Sequence, residues 1–153
     1  MYHPLLYIHS YFRWGILMLL VYLVFQAFQL QKKPQPQMQQ FGKGLTWYVI
    51  LLDIQALIGF LMYLFFSPAV NHALQNFGDA MRHTDLRFWA VEHPILMVII
   101  LILGHIAKIK FKRSSSPENS LKGIGILLGI SLVILLLVIP WPFSWVSRPF
   151  FRF

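Results

Sequence analysis

Two histidines in separate apolar stretches of the sequence are the residues best placed to hold a cofactor. His9 is expected about one helical turn inside a membrane and His93 about two turns inside, in stretches that cross it in the same direction. At a rise of about 1.5 Å per residue, both imidazoles should lie roughly 6–11 Å deep. Neutral imidazoles at one depth on facing helices suit the two axial positions of a haem iron. The spacing therefore predicts one haem b, although such histidines also serve as interhelical hydrogen-bonding groups.

Charged residues flank both histidines. Arg13 shares a helical face with His9, because the two are four residues apart. Arg87 is expected at the same depth, and Glu92 directly precedes His93. The propionates of a haem are anionic, so Arg13 and Arg87 are predicted to pair with them, with Glu92 contacting the ligand residues rather than the haem. The alternative is an ordinary interhelical ion pair between Arg13 and Glu92.

Three further polar residues fall within the apolar stretches. Asp53 and His105 should lie at similar depths and are predicted to pair, either as interhelical hydrogen-bonding groups or as a proton relay or quinone contact. Gln55 shares a face with Gly59, which is typical of a packing stripe with one interhelical hydrogen bond. Because no second histidine matches His105 in depth, the sequence predicts at most one bis-histidine haem.

Pro94 and several glycines should shape the helices around these residues. Pro94 lacks an N–H and frees a carbonyl one turn earlier, which can re-aim His93 or accept its second ring N–H. Gly104 should let a bulky group approach closely. The spacing of Gly125 and Gly129 is a close-packing signal.

Four apolar stretches are long enough to position these residues across a bilayer, which requires about 20 residues each. Each must be a helix, because lipid offers the backbone no hydrogen-bonding partner. The sequence predicts a single all-α domain over 1–153, an integral membrane four-helix bundle with helices at about 5–30, 45–66, 86–107 and 123–139. The segments between them are predicted to be a solvated loop (Gln31–Gly44), a short surface helix (Val70–Phe77) after a stop at Ser67-Pro68, and a loop with a mobile tip (Ile109–Lys122).

Composition supports the membrane assignment. The chain is 58% hydrophobic and 12% charged, whereas an ordinary soluble domain has about 25% charged residues. With no cysteine, disulfides, thiolate metal sites and iron–sulfur clusters are excluded. The net charge of +8 lies mostly in short loops, which indicates topology rather than nucleic-acid binding. The larger basic group should be cytoplasmic, with both termini outside: Lys32, Lys33, Lys43, Lys108, Lys110, Lys112, Arg113 and Lys122.

Several segments also resemble a known family, the small four-helix bacterial membrane proteins labelled cytochrome B. The resemblance covers most of the chain, from Tyr7 to Phe143, and its most specific part is Glu92-His93-Pro94. It is carried by His9-Ser10-Tyr11-Phe12-Arg13-Trp14, Gln55-Ala56-Leu57-Ile58-Gly59, Leu86-Arg87-Phe88-Trp89-Ala90-Val91-Glu92-His93-Pro94, Gly104 and Ile139-Pro140-Trp141-Pro142-Phe143. It implies a haem b electron carrier in a bacterial inner membrane, with His9 and His93 as the matching histidines.

Two functions from different classes follow from these patterns. The first is haem-dependent electron transfer near the outer face, with a redox partner or respiratory complex docking there. The second is a cofactor-free accessory or assembly subunit of a larger membrane complex. A weaker alternative is a quinol or metal site at the same outer position. No catalytic constellation is present, so an electron carrier is favoured over a stand-alone enzyme.

Overall fold

The computed structural model describes residues 2–30, 35–114, 117–146 and 148, and within these ranges the chain is helical and contains no strand. In chain order the helices are α1 (Tyr2–Gln29), α2 (Gln35–Leu61), α3 (Pro68–Gln75), α4 (Phe77–Ala80), α5 (Thr84–Arg87), α6 (His93–Arg113) and α7 (Pro117–Val138). Two π-helical turns extend them. One, Met62–Phe66, continues α2, and the other, Phe88–Glu92, joins α5 to α6.

Four continuous helical segments are long and apolar enough to cross a membrane: Tyr2–Gln29, Gln37–Phe66, Thr84–Arg113 and Ser120–Val138. The prediction of an all-α, multi-pass membrane protein is therefore confirmed. Apolar side chains cover these helices on their outward surfaces as well as inside, which is how a helix that faces lipid differs from one on a soluble surface.

The four spans form a ring in which each helix packs against two neighbours. α1 packs against α2 and α7, and α6 packs against the same two helices. α1 and α6 are consequently diagonal to each other across the bundle axis. Side chains that point inward from α1 and α6 meet at the centre, whereas α2 and α6 share a groove that opens outward. We call the end of the bundle with His9 and His93 the histidine end, and the end with Lys108, Lys110 and Lys112 the lysine end.

The lysine half of the bundle holds the closely packed apolar core. Its fully buried side chains come from all four spans and are mostly aliphatic: Leu20, Leu23, Leu45, Ile100, Leu121, Ile124 and Leu128. Burying a side chain of this type stabilises the fold by about 1.5–3 kcal/mol in water, and in lipid the same contacts act through close packing. The same buried cluster continues toward the histidine end through Ile16, Leu135 and Val138, and the polar residues singled out above as haem-site candidates lie in that half.

The second span begins earlier than the sequence predicts. The expected loop over Gln31–Gly44 is wrong from residue 35 onward, because α2 starts there; residues 31–34 lie outside the described part of the chain. Met38, Phe41 and Leu45 recur at helical spacing and are buried. Their apolar face extends the bundle, although the residues between them are mainly polar.

The third and fourth spans are also longer than predicted at the lysine end. α6 continues to Arg113 instead of ending near 107, and α7 starts at Pro117 instead of near 123. The reason is again one apolar face. The Phe111 ring packs against the Phe41 ring, with centroids 5.6 Å apart, while neighbouring lysines extend outward. The predicted mobile tip falls partly on residues 115 and 116, outside the described residues.

The connection between the second and third spans largely follows the prediction. The second span ends at Phe66, and the surface helix forms over Pro68–Gln75 rather than Val70–Phe77. Ser67 caps it, since its hydroxyl accepts a hydrogen bond from the Val70 N–H at 3.4 Å.

Two of the three glycines predicted to allow close approach do so. A Cβ on Gly104 would lie 2.9 Å from a methyl of Leu52, and one on Gly125 would lie 3.1 Å from the Phe28 ring. In the part of the chain that the structure describes, Gly129 has nothing within 4 Å of its Cβ position, so the expected contact at the second glycine of that pair is not found there.

Candidate functional site

His9 and His93 meet across the bundle axis in the histidine half. Their ring centroids are 6.3 Å apart and the ring planes are inclined by 59°. The Nδ1 atom of each ring is buried and has no hydrogen-bonding partner among the described residues. The arrangement arises because α1 and α6 are diagonal and the two histidines project inward at the same level. The structure thus brings together the pair that the sequence places at one depth.

The neighbouring α2 helix holds His9 in position. A Cβ on Gly59 would lie 3.3 Å from Cε1 of the His9 ring, so the absence of a side chain at residue 59 lets the ring lie close to α2. One turn away, Gln55 Nε2 donates a hydrogen bond of 3.0 Å to the His9 backbone carbonyl. Gln55 therefore makes the interhelical hydrogen bond expected of it, and its Oε1 remains buried without a partner.

His93 is held by aromatic rings and by the end of α7. The centroids of Phe88 and Trp89 lie 5.7 Å and 5.4 Å from the His93 centroid. The His93 ring also lies near enough to the Val138 backbone to interact with it. Arg148 lies over the Trp89 ring at 5.3 Å, which covers this side of the site. Aromatic rings and the end of α7 therefore surround the imidazole on this side.

Pro94 has the predicted effect on the backbone, with a different outcome. A helix would bond the N–H of residue 94 to the Ala90 carbonyl, and proline has no N–H to give. The Tyr63 hydroxyl donates to that carbonyl instead, at 2.9 Å. The suggestion that His93 would use the freed carbonyl is wrong. The hydrogen bond from Tyr63 instead links the end of the second span to the third span.

Arg87 and Glu92 form an ion pair, with 2.7 Å between Nε and Oε1. Arg87 Nη1 also donates to the Met81 carbonyl at 3.2 Å. In an α-helix, side chains three or four residues apart are neighbours, but here the pair is five apart. The π-helical turn between them lengthens one turn and brings them together. The alternative pairing of Glu92 with Arg13 is therefore wrong.

Arg13 is the arginine most closely associated with the histidine pair. It is near enough to interact electrostatically with both His9 and His93. Its guanidinium carbon lies 4.9 Å from the Trp14 ring centroid, in a cation–π contact. Because it lies within electrostatic range of both histidines, Arg13 is the better placed of the two predicted propionate partners.

Four buried polar atoms without partners gather around the histidine pair: Nδ1 of His9, Nδ1 of His93, Oε1 of Gln55 and Nε1 of Trp89. Buried polar atoms nearly always have a hydrogen-bonding partner, and a cluster without them calls for a ligand or water. The described residues contain no group of three or more His, Asp or Glu side chains that could hold a bare ion.

The histidine pair fits a haem iron in spacing. An iron about 2 Å from one nitrogen of each ring would hold two opposed ring centroids roughly 6 Å apart, and the observed separation is 6.3 Å. His9 and His93 would be sufficient to hold a haem, because the cofactor would bring the other iron ligands itself. The donor set and its separation therefore suit this group.

Asp53 and His105 form the predicted pair at a distance from this site. Asp53 Oδ1 and His105 Nε2 are 2.9 Å apart. His105 is twelve residues beyond His93, about 18 Å along α6. The two side chains are 50% and 45% exposed, respectively, in the outward groove between α2 and α6. They do not contribute to the histidine site.

Tyr63, Trp89 and Val138 contribute to the site although no sequence pattern predicts a role for them there. For Tyr63 a signal existed, because Pro94 must leave a carbonyl free and a tyrosine hydroxyl is a suitable donor. Val138 acts through its backbone, which no side-chain pattern reveals.

No family model, curated protein or solved structure matches the chain. The resemblance to proteins labelled cytochrome B therefore stays a prediction, and the geometry of the histidine site has to carry the functional argument.

Proposed function

We propose that the protein binds one haem b through His9 and His93 and transfers electrons. The observation that carries this proposal is the pair of buried imidazoles on diagonal helices, 6.3 Å apart, each with an Nδ1 atom that has no partner. Two such rings, gathered with further unpartnered polar atoms inside an apolar bundle, suit a planar apolar ring with an iron at its centre.

The surrounding residues have complementary roles in this proposal. Arg13 pairs with a propionate, while Glu92 holds Arg87 and keeps that guanidinium at the histidine end. Phe88 and Trp89 pack around His93 and keep water from the iron ligand. When bound, the haem supplies a one-electron redox couple, whose potential the axial ligands and burial set.

The topology of the proposal follows from charge. The lysine end belongs in the cytoplasm of a bacterial inner membrane, with both termini outside. The haem then lies near the outer face, where a redox partner or respiratory complex would dock. Transmembrane electron transfer usually requires two stacked haems, so a single haem favours exchange of electrons on one side of the membrane.

An absorption spectrum of the detergent-purified protein, oxidised and then reduced with dithionite, tests the proposal. We expect a low-spin b-type spectrum with about one haem per chain, as a bis-histidine iron gives. His93→Ala and His9→Ala should lose the haem and keep their helical circular dichroism. His105→Ala is the matched control, since it removes an intramembrane histidine outside the site. A colourless protein from haem-replete cells, or full haem content in His93→Ala, would overturn the proposal.

A cofactor-free accessory subunit is the second candidate. It is favoured by the hydrogen bonds that join the spans without any ligand, from Gln55 to the His9 carbonyl and from Tyr63 to the Ala90 carbonyl. It predicts stoichiometric co-purification with a larger membrane complex and no visible absorbance. A quinol or metal site at the same histidines is weaker; an added quinone analogue or Cu²⁺, rather than haem, would then stabilise the protein, and His93→Ala would abolish that effect.

A further inference from the structure

The Asp53–His105 pair lies where lipid would be expected to contact the bundle. Both side chains are about half exposed in the groove between α2 and α6. Asp53 is seven residues beyond Thr46, whose hydroxyl contacts the Lys108 ammonium at the lysine end, and this spacing is about 10 Å along α2. By contrast, the outward stripe of α7 is aliphatic: Ile126, Ile130, Val133 and Leu137. An ionisable pair at this depth is costly unless another polar group covers it.

The pair does not satisfy its own hydrogen-bonding capacity. One bond joins His105 Nε2 to Asp53 Oδ1, and among the described residues neither side chain has a further bond. His105 Nδ1 and Asp53 Oδ2 therefore remain available on the outward face. Lipid tails offer neither a donor nor an acceptor. A protein surface that carries both groups at the same depth would supply them.

Apolar stripes with a seven-residue repeat flank the pair. On α6, Ile95, Ile102 and Ile109 are 54%, 51% and 48% exposed, and His105 follows Ile102 by three residues. On α2, Ile50 and Leu57 are 39% and 59% exposed. This is the spacing of a helix–helix seam, in which one polar position fixes the register and the number of partners.

Asp53 lies three residues after Ile50 on α2, just as His105 lies three residues after Ile102 on α6. The two stripes are therefore alike, with apolar residues seven apart and one polar residue between them. When both ring nitrogens of His105 are protonated and Asp53 is ionised, the same patch presents a donor and an acceptor side by side.

We propose that a second copy of this chain packs on the α2–α6 face. A twofold axis along the membrane normal keeps each residue at its own depth, and it brings one patch against an identical patch. With both ring nitrogens of His105 protonated and Asp53 ionised, Nδ1–H of each copy then donates to Asp53 Oδ2 of the other. A second copy is favoured over an unrelated protein because the patch is its own complement. The dimer does not depend on the proposed haem, since the histidine site is about 18 Å away along α6.

Cysteine cross-linking in native membranes tests the dimer, because the chain has no cysteine of its own. Leu57→Cys and Ile102→Cys flank the polar pair. Val133→Cys on α7 is the matched control, since Val133 and Leu57 are 57% and 59% exposed. We expect copper–phenanthroline oxidation to give several-fold more disulfide-linked dimer from either flanking cysteine than from the control. Equal yields at all three positions, or adducts with another protein and no homodimer, would overturn the proposal.

The polar pair is tested in the Leu57→Cys background. Asp53→Leu removes both exchanged hydrogen bonds and should lower the dimerisation constant roughly tenfold, at a few-fold per intramembrane bond. The swap Asp53→His with His105→Asp preserves a self-complementary patch and should restore dimerisation. Unchanged dimerisation in Asp53→Leu would refute the proposed exchange of hydrogen bonds between copies. So would a swap variant that fails to dimerise although native mass spectrometry shows an intact helical protein. His93→Ala should dimerise normally, so a failure of the haem proposal can be distinguished from a failure of the dimer proposal.

Discussion

Gly59→Leu should displace His9 and weaken cofactor binding without disrupting the bundle. A Cβ at this position would lie 3.3 Å from the His9 Cε1 atom, whereas carbon contacts are optimal at about 3.5–4.0 Å. Alanine therefore requires a shift of only a few tenths of an ångström. Leucine adds three more carbons against the ring, and overpacking of this kind costs about 1–3 kcal/mol. If the imidazole moves to relieve it, haem affinity falls roughly five- to hundredfold, at about 1.4 kcal/mol per factor of ten.

The assay is the haem-to-chain ratio and the reduced spectrum of Gly59→Leu, Gly59→Ala and Gly15→Leu. Gly15 is on the outward face of α1 and has nothing within 4 Å of its Cβ position, so it controls for the gain of about 1 kcal/mol in helix propensity on replacing glycine. Gly59→Ala should keep most of its haem. The reasoning is refuted if Gly59→Leu retains as much haem as Gly15→Leu, with an unshifted spectrum.

Three further substitutions test the packing that supports the site, each by thermal unfolding in detergent. Gly104→Leu should lower the stability of the bundle by about 1–3 kcal/mol, because its Cβ alone would lie 2.9 Å from a methyl on α2. Gly129→Leu is the control and should not, because the space around residue 129 is open. Equal losses in both variants would refute this explanation. Tyr63→Phe should cost about 1 kcal/mol through the lost bond to the Ala90 carbonyl, and wild-type stability would show that water replaces the hydroxyl. Lys108→Met keeps the side-chain length and loses the hydrogen bonds to α2, so the free energy of unfolding should fall by about 1 kcal/mol. Unchanged stability would mean that the lysine acts only as a topology signal.

The sequence predicts depth along the helices well, because the rise per residue of a helix is nearly constant. His9 and His93 were placed at one level by counting residues, and their rings lie 6.3 Å apart. The same counting predicted the Asp53–His105 pair, and its atoms lie 2.9 Å apart. Which side of a span faces lipid is harder to predict, since both sides are apolar. The half-exposed position of Asp53 is therefore known only from the structure.

Helix ends and local neighbours were less predictable. The first turns of α2 are rich in polar residues and therefore resemble a loop in the sequence, although Met38 and Phe41 are buried on one face there. The alternative ion pair between Glu92 and Arg13 is wrong because Glu92 pairs with Arg87, which lies five residues away and would not be its neighbour in an α-helix. A π-helical turn changes those neighbours, and nothing in the spacing of the charged residues indicates where it will occur.

The π-helical turn at Phe88–Glu92 also constrains how this segment can vary in length. An α-helix rotates by about 100° per residue, and a widened turn takes up one extra residue while the segments on either side keep their relative phase. Deleting a single residue there would leave a regular α-helix, with Arg87 and the preceding loop in roughly the same orientation relative to His93. A single-residue deletion between Arg87 and His93 should therefore be tolerated better than a single-residue insertion, which would turn the preceding loop by about 100° relative to His93.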